Sequence, residues 1–432
     1  INKAYEKDRE MGDVLEGLEF EGDLESLAED LEGTADLLDV AQQAPIIKLV
    51  NSVLHQALRK RASDIHIQPL EDSLKIRLRI DGNLYDYLDP PKKIQDAIIS
   101  RVKVMGKMDI AERRIPQDGR ATIRVGDREV DLRISIVPTA FGERVVFRLL
   151  DKGAKLFSLP EVGLADKALE LVNTFINFNH GIILVTGPTG SGKTTTLYAA
   201  LSTINAPDIN IMTIEDPIEY HLRGISQMQI LPKKGLTFAA GLRSLLRQDP
   251  DVMMVGEIRD EETARIAIQA ALTGHLVFST IHTNDAPSSV TRMLDIGVEP
   301  YLVSSSVICV IAQRLVRRIC ENCKTEYEAT LDEVADLGID PDAIPGGVLH
   351  KGAGCEKCMD TGYWGRVAIF EVLPITERVR QFIMQRNGAS EIKRHAVETG
   401  LMRTLRMDGA AKVLRGETTV EEVLSVTQMD IY

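Results

Sequence analysis

Between Ala44 and Lys60 the apolar residues Ile46, Ile47, Leu49, Val50, Val53, Leu54, Ala57 and Leu58 recur at helical intervals, and Pro45 sits where a first turn tolerates it. This segment predicts an amphipathic helix. The pattern then changes to alternation. Ile65 and Ile67 are separated by His66, and Leu74, Ile76, Leu78 and Ile80 are separated by Lys75, Arg77 and Arg79 before a turn at Asp81-Gly82. A second alternating pair, 121–125 and 129–137, is joined by Gly126-Asp127. One helix with several half-buried strands predicts a small α+β domain over 44–152.

Past Gly153 the strands lose their polar alternation. Residues 181–186, 209–214, 252–255 and 276–281 are continuous apolar runs, with helical stretches such as 194–203 between them. Strands buried on both faces and alternating with helices predict a parallel-sheet α/β domain. From Cys320 to Cys358 the composition shifts to cysteines and glycines, and helical periodicity returns from Thr376. Cys309, in an apolar stretch that reads as helical, is expected to be a core residue.

A chain of 432 residues with 44% hydrophobic content can bury more than one core, which fits two to four domains. It contains no apolar run long enough to span a bilayer, and its first ten residues lack the basic-then-apolar pattern of a secretory signal. It opens on Ile1 rather than Met, so an upstream domain of a longer protein is expected. Net charge is −13, yet residues 1–39 hold fourteen acidic against three basic side chains, which leaves the remaining body at −2. The expectation is an acidic linker or docking segment over 1–43, and a body without the electrostatic footprint of a nucleic-acid binder.

Gly187-Pro188-Thr189-Gly190-Ser191-Gly192-Lys193-Thr194 fits G-x-x-x-x-G-K-[ST] between a buried strand and a helix start, with Thr195 continuing that start. Glycines let backbone N–H groups close around phosphates, Lys193 reaches the terminal phosphates, and the Thr194 hydroxyl can ligate magnesium. Two acidic strand ends accompany the loop: Glu257 after 252–255, and Glu215, Asp216 and Glu219 after 209–214. A lone acid there is as readily a helix cap or solvated loop residue, but two beside a phosphate loop favour phosphate chemistry. Glu257 occupies the Walker B position, holding the magnesium shell or orienting water. His275 and His282 bracket the strand 276–281 and are expected to partner the γ-phosphate or the acids.

Cys320-x-x-Cys323 and Cys355-x-x-Cys358 supply four thiolates in two knuckles, a set that suits structural zinc better than a redox pair. Arg314, Arg317 and Arg318 lie nearby, so a nucleic-acid-binding ribbon is the competing reading.

In their order along the chain, the phosphate loop, Thr213 to Glu219, Gly256-Glu257-Ile258-Arg259-Asp260 and Leu272 through His282 resemble the motifs of the secretion-superfamily ATPases. These include type II secretion ATPases (general secretion pathway protein E) and type IV pilus assembly ATPases. The resemblance runs from about Ala44 to the C-terminus, and the segments 109–120 and 298–317 look closer to the type II branch. It implies a RecA-like P-loop ATPase core over 153–318 after a PAS-like α+β N2 domain over 44–152. A four-cysteine zinc-binding subdomain over 319–373 and a helical subdomain over 374–432 would follow. It also implies that Arg133 and Arg148 contact the phosphates, with Glu219 the water-activating carboxylate, Glu257 the Walker B acid and Glu215 a lesser candidate. Surface ion pairs on strands are the duller account of those arginines.

The implied function is hydrolysis of ATP by a cytoplasmic homohexamer, peripheral to the inner membrane, that powers pseudopilus assembly in type II secretion. Its partners would be an inner-membrane platform protein and the cytoplasmic domain of a membrane adaptor. A type IV pilus extension ATPase is the nearest alternative; a nucleic-acid motor and a nucleotide-gated scaffold are rivals of other classes.

Overall fold

The computed structural model describes residues 44–428 except 126–127, 152–155, 341 and 343, so the acidic segment 1–43 lies outside the described residues. The chain divides into two compact units, Ile1–Ala154 and Lys155–Tyr432.

In the first unit, helix α1 (Ala44–Arg59) precedes strands β1 (Asp64–Pro69), β2 (Leu74–Ile80) and β3 (Asn83–Leu88); helix α2 (Gln95–Gly106) leads to β4 (Gln117–Val125), β5 (Arg128–Thr139) and β6 (Gly142–Asp151). The six strands form one sheet in the order β3-β2-β1-β6-β5-β4. Alternation decides its faces: in β2, Leu74, Ile76, Leu78 and Ile80 are buried while Lys75, Arg77 and Arg79 are half-buried on the other side. The buried side packs on Ile46, Val50, Val53 and Leu54 of α1 and Ile98 and Val102 of α2. Lys103 of α2 places a charge within this largely apolar layer. Its side chain is 1% exposed, and its ammonium lies 2.8 Å from Glu143 and donates to the Glu112 carbonyl at 2.6 Å.

In the second unit a helical turn, Leu159–Val162, precedes α3 (Asp166–Phe175) and β7 (Gly181–Thr186), followed by α4 (Lys193–Ile204), β8 (Ile211–Glu215), β9 (Ser226–Gln229) and α5 (Phe238–Leu245). Next come β10 (Val252–Val255), α6 (Glu261–Leu272), β11 (Leu276–Ile281), α7 (Ala286–Asp295) and β12 (Val307–Ile319). The seven-stranded sheet has the order β15-β12-β7-β11-β10-β8-β9 and is parallel except at β15 (Tyr363–Pro374), which pairs antiparallel with β12. Helices on both faces explain why β7, β10 and β11 are apolar throughout. Cys309 is buried as expected, but it sits in β12 rather than a helix: the stretch is rich in Val and Ile and is buried on both faces, which hides the period of 2.

The sheet does not stop where the composition shifts. β13 (Lys324–Glu328) and β14 (Val348–Gly352) form a separate hairpin-like pair, whereas β15 returns to the main sheet. Helices α8 (Glu377–Met384), α9 (Ala389–Glu398), α10 (Leu405–Leu414) and α11 (Val420–Val426) close the unit. Charged groups fasten two of them. Asp408 of α10 accepts from the Phe370 amide at 2.9 Å and from buried Lys412 at 2.6 Å, while Glu422 of α11 accepts from the Arg317 amide and guanidinium at 2.9 and 2.6 Å. No helix among the described residues is long and apolar enough to cross a membrane.

Replacing Lys103 by Met leaves Glu143 buried without its cation, so the first unit should lose about 3–5 kcal/mol of stability. Lys103→Met/Glu143→Leu should recover most of it, and urea unfolding of the three proteins measures the difference.

Candidate nucleotide site

The phosphate loop leaves the C-terminal end of β7 and closes on the first turn of α4. Gly187, Gly190 and Gly192 take φ of 148°, 80° and 84°. A side chain at Gly187 would also collide with the Gln313 carbonyl oxygen and the Ser191 hydroxyl, at 2.5 and 2.6 Å from its Cβ, so glycine is demanded there twice over. Pro188, Thr189 and Gly190 are exposed at the loop's tip, whereas Ser191 is buried and Gly192, Lys193, Thr194 and Thr195 are half-buried. The Lys193 ammonium donates to the carbonyls of Gly187 and Pro188 at 2.7 and 3.0 Å. Burial lowers its pKa, the nearby Glu257 charge works in the opposite direction, and Arg314 adds to the lowering. Thr186, the last residue of β7, ties this end to β11 by donating to the Ile281 carbonyl at 2.9 Å and accepting from the Thr283 amide at 2.9 Å.

Strand register brings the acids to the same edge, because Val255 of β10 lies opposite Ser279 of β11, which lies opposite Leu184 of β7. Glu257 follows β10 and is held between Arg259 Nη2 at 2.6 Å and His282 Nε2 at 3.3 Å. Its side chain is only 12% exposed, so its direction is set. Glu219, exposed in the loop after β8, belongs to the same edge. Glu215 does not present its carboxylate to the loop: it is buried and receives hydrogen bonds from Tyr198, Thr213 and Gln227. The expectation of a directly reacting Glu215 is therefore corrected, since its oxygens are already engaged.

The two histidines separate. His282 reaches Glu257, but His275 precedes β11 and donates through Nδ1 to the Ala270 carbonyl at 2.9 Å, at the end where Leu276 pairs with Gly181. A six-residue strand spans roughly 20 Å, so within one chain His275 is not brought to the phosphate loop. The pairing inferred from their bracketing positions fails for that reason.

Arg133 and Arg148 belong to the first unit, on the face of its sheet away from the helices. They are directly opposite one another and continue a transverse row: Arg120 opposite Arg133, Arg148 opposite Asp64, and Asp64 opposite Arg79. Arg148 donates to Asp64 at 3.1 Å. Arg120, Arg133 and Arg148 line an open cleft of about 760 Å³ with Lys107 and Asp118. Like charges directly opposite in a sheet are destabilising, and such a row is suited to a polyanion. Alternation alone placed these arginines on the polar face; only register shows that they share a row.

The four thiol sulfurs of Cys320, Cys323, Cys355 and Cys358 all lie within 4.8 Å of one another. Three of their separations are 3.9 Å (Cys320–Cys355), 3.8 Å (Cys323–Cys358) and 3.7 Å (Cys355–Cys358). A tetrahedron with Zn–S bonds of about 2.3 Å has edges of about 3.8 Å, so the donor set fits zinc. Asn322 Nδ2 donates to Cys355 Sγ at 3.3 Å and the Gly362 amide donates to Cys358 Sγ at 3.3 Å. The Asn322 bond leads the interactions that bring the Cys355 thiol down to about 6, whereas burial leads those that push the Cys323 thiol up to about 12, so the sulfur geometry is what marks the set as a metal site.

Three buried or half-buried polar residues at the nucleotide site were not singled out from the sequence. Gln313 of β12, completely buried, donates from Nε2 to the Ser191 carbonyl at 2.6 Å and so props the phosphate loop from below. Tyr198 and Gln227 join Glu215. A polar residue inside an otherwise apolar strand or helix was the available signal: Gln313 interrupts the run from Val307 to Ala312, and Tyr198 carries the hydroxyl on the buried side of α4.

Comparison with known proteins agrees with this geometry. The sequence matches the family described as Type II/IV secretion system protein over residues 39–425. It is 52% identical over 406 residues to the type II secretion system protein E of Pseudomonas aeruginosa, covering 94% of this chain and 80% of that protein. To the type IV pilus assembly ATPase PilB of Myxococcus xanthus it is 49% identical over 411 residues, covering 94% of this chain and 72% of that one. Among solved structures, the Legionella pneumophila ATPase DotB superposes with a TM-score of 0.63 at 22% identity, covering 88% of this chain and 95% of that one. The pilus retraction motor PilT, solved with bound ADP, gives 0.56 at 27% identity, covering 88% and 96%. With its phosphate loop, acidic strand ends and cysteine set in one sequence-wide match, the chain belongs to the type II/IV secretion system protein family.

Proposed function

We propose that this chain hydrolyses ATP to ADP and phosphate and acts as the motor of a protein-secretion machine, building a pseudopilus of the type II kind. The observation that carries this is the complete phosphate loop at the C-terminal edge of a parallel sheet, with Glu257 fixed after β10, two strands away at the same edge. Backbone amides at the start of α4 hold the phosphates, and Lys193 neutralises their charge. Glu219 takes the proton of the attacking water. His282 and Arg259 orient Glu257, and Arg133 and Arg148 supply positive charge to the phosphoryl group in transfer. Magnesium, held by the Thr194 hydroxyl and by the Glu257 side of the site, would offset the negative charge on the phosphates.

The working assembly is a homohexamer at the cytoplasmic side of the inner membrane, passing its movements to a platform protein and held there by a membrane adaptor. Zinc in the Cys320, Cys323, Cys355 and Cys358 set fixes the loops that flank β13 and β14. The type IV pilus reading keeps the same chemistry and has its own support in the 49% identity to PilB of Myxococcus xanthus.

Magnesium-dependent ATP hydrolysis measured over a concentration series, beside molar mass by light scattering, tests the motor. Activity per chain should rise as rings form, and Glu219→Gln should lower kcat by about 10²–10⁴-fold while nucleotide still binds. Equal turnover in the variant would defeat the role given to Glu219; nucleotide binding without turnover in both proteins would favour a scaffold.

The metal is tested separately. Elemental analysis should find one zinc per chain, and Cys355→Ser/Cys358→Ser should lose it together with several degrees of Tm.

A further inference from the structure

Glu215 is a carboxylate only 3% exposed, and the side chains that meet its oxygens are neutral. Three donors take the place of a cation: the Tyr198 hydroxyl, Thr213 Oγ1 at 2.5 Å and Gln227 Nε2 at 3.1 Å. They come from three elements of the site. Tyr198 lies on α4, five residues beyond Lys193; Thr213 shares β8 with Glu215; Gln227 lies on β9 beyond the loop that carries Glu219.

The same groups hold that loop. Gln227 donates to the Tyr220 carbonyl at 3.1 Å and accepts from the Leu222 amide at 2.7 Å, and its Nε2 also lies 3.3 Å from the Tyr198 oxygen. The Tyr220 ring meets the Tyr198 ring edge-on at 4.7 Å between centroids. Residues 220 and 222, just beyond Glu219, are thus held by two side chains, Gln227 on the next strand and Tyr198 on the helix that grips phosphate.

We infer that Tyr198, Glu215 and Gln227 form a positioning network that sets the Glu219 carboxylate relative to the phosphate loop, and that Glu215 serves as its buried anchor rather than as a reacting group. The inference rests on the proposed role of Glu219. Tyr198 is the hub, because its hydroxyl donates to Glu215 while its oxygen lies 3.3 Å from Gln227 Nε2 and its ring meets Tyr220. Hydrogen bonds to a charged acceptor are the strong class, and a network with every member satisfied holds its geometry.

The test uses the full chain and the variant Tyr198→Phe, which keeps the ring and its contact with Tyr220. The expected result is a fall in kcat of about tenfold, the effect of one hydrogen bond of ordinary net strength, with KM and the affinity for a fluorescent ADP analogue changed less than about twofold. Gln227→Leu should show the same split, and the double variant should lose less than the product of the two single losses. Glu215→Gln keeps the anchor's shape and should retain kcat within about tenfold, whereas a reacting carboxylate would lose about 10²-fold or more. Unchanged kcat in Tyr198→Phe overturns the network, as does a parallel loss of nucleotide affinity and Tm, which would mark simple structural damage. Glu219→Gln run alongside separates the two ideas: full turnover there removes the role of Glu219 itself, whatever Tyr198→Phe does.

Discussion

In a sheet whose inner strands all run one way, every strand ends at the same edge, and here that edge receives the phosphate loop after β7, Glu257 after β10 and the Glu219 loop after β8. Residues far apart in sequence are brought together by register alone. The same constraint excludes His275, whose place before β11 puts it at the opposite edge, while His282 at the far end of the same strand pairs with Glu257. Strand direction, not sequence proximity, decides which polar groups belong to the site.

Desolvation sets what each charged group at that edge can do. Glu215 is inside the protein, where an uncompensated carboxylate costs several kcal/mol. Hydrogen bonds to a charged group return about 1.5–3 kcal/mol each, so three donors are of the right order to hold the charge in the interior. Glu219 is exposed and Glu257, paired with Arg259 and His282, keeps a sliver of exposure, so neither acid is sealed in the interior as Glu215 is. Tyr220, half sunk beside the acids, is pushed up to about 12 by burial first and by the charges of Glu215 and Glu219 after it, and stays neutral over the working range.

The C-terminal part is built onto the nucleotide-binding sheet rather than appended to it. β15 pairs with β12 over most of its length, and β12 also carries Gln313 under the phosphate loop. The cysteine set hangs from the ends of these two strands, because Cys320 follows β12 and Cys358 lies a few residues before β15. A zinc ion in that set would contribute on the order of 10 kcal/mol, where β13 and β14 themselves bury little beyond Leu349. Arg317–Glu422 and the bond from the Phe370 amide to Asp408 then fasten the last helices to the same two strands.

Local pattern was enough for the amphipathic helix α1, the alternating strands of the first unit, the parallel α/β class, the phosphate loop and the four cysteines, since each is a property of residues adjacent in sequence or of fixed spacing. The resemblance of ordered motifs identified the family for the same reason. Pattern misread the β12 stretch around Cys309, where burial on both faces erases alternation, and it treated His275 and His282 as equivalents because it carries no strand direction. It could not show that Arg120, Arg133, Arg148 and Arg79 share one row, that Gln313 supports Ser191, or that Glu215 is enclosed by Tyr198, Thr213 and Gln227. Those facts depend on register between strands and on the depth of a side chain, and both exist only once distant segments have packed together.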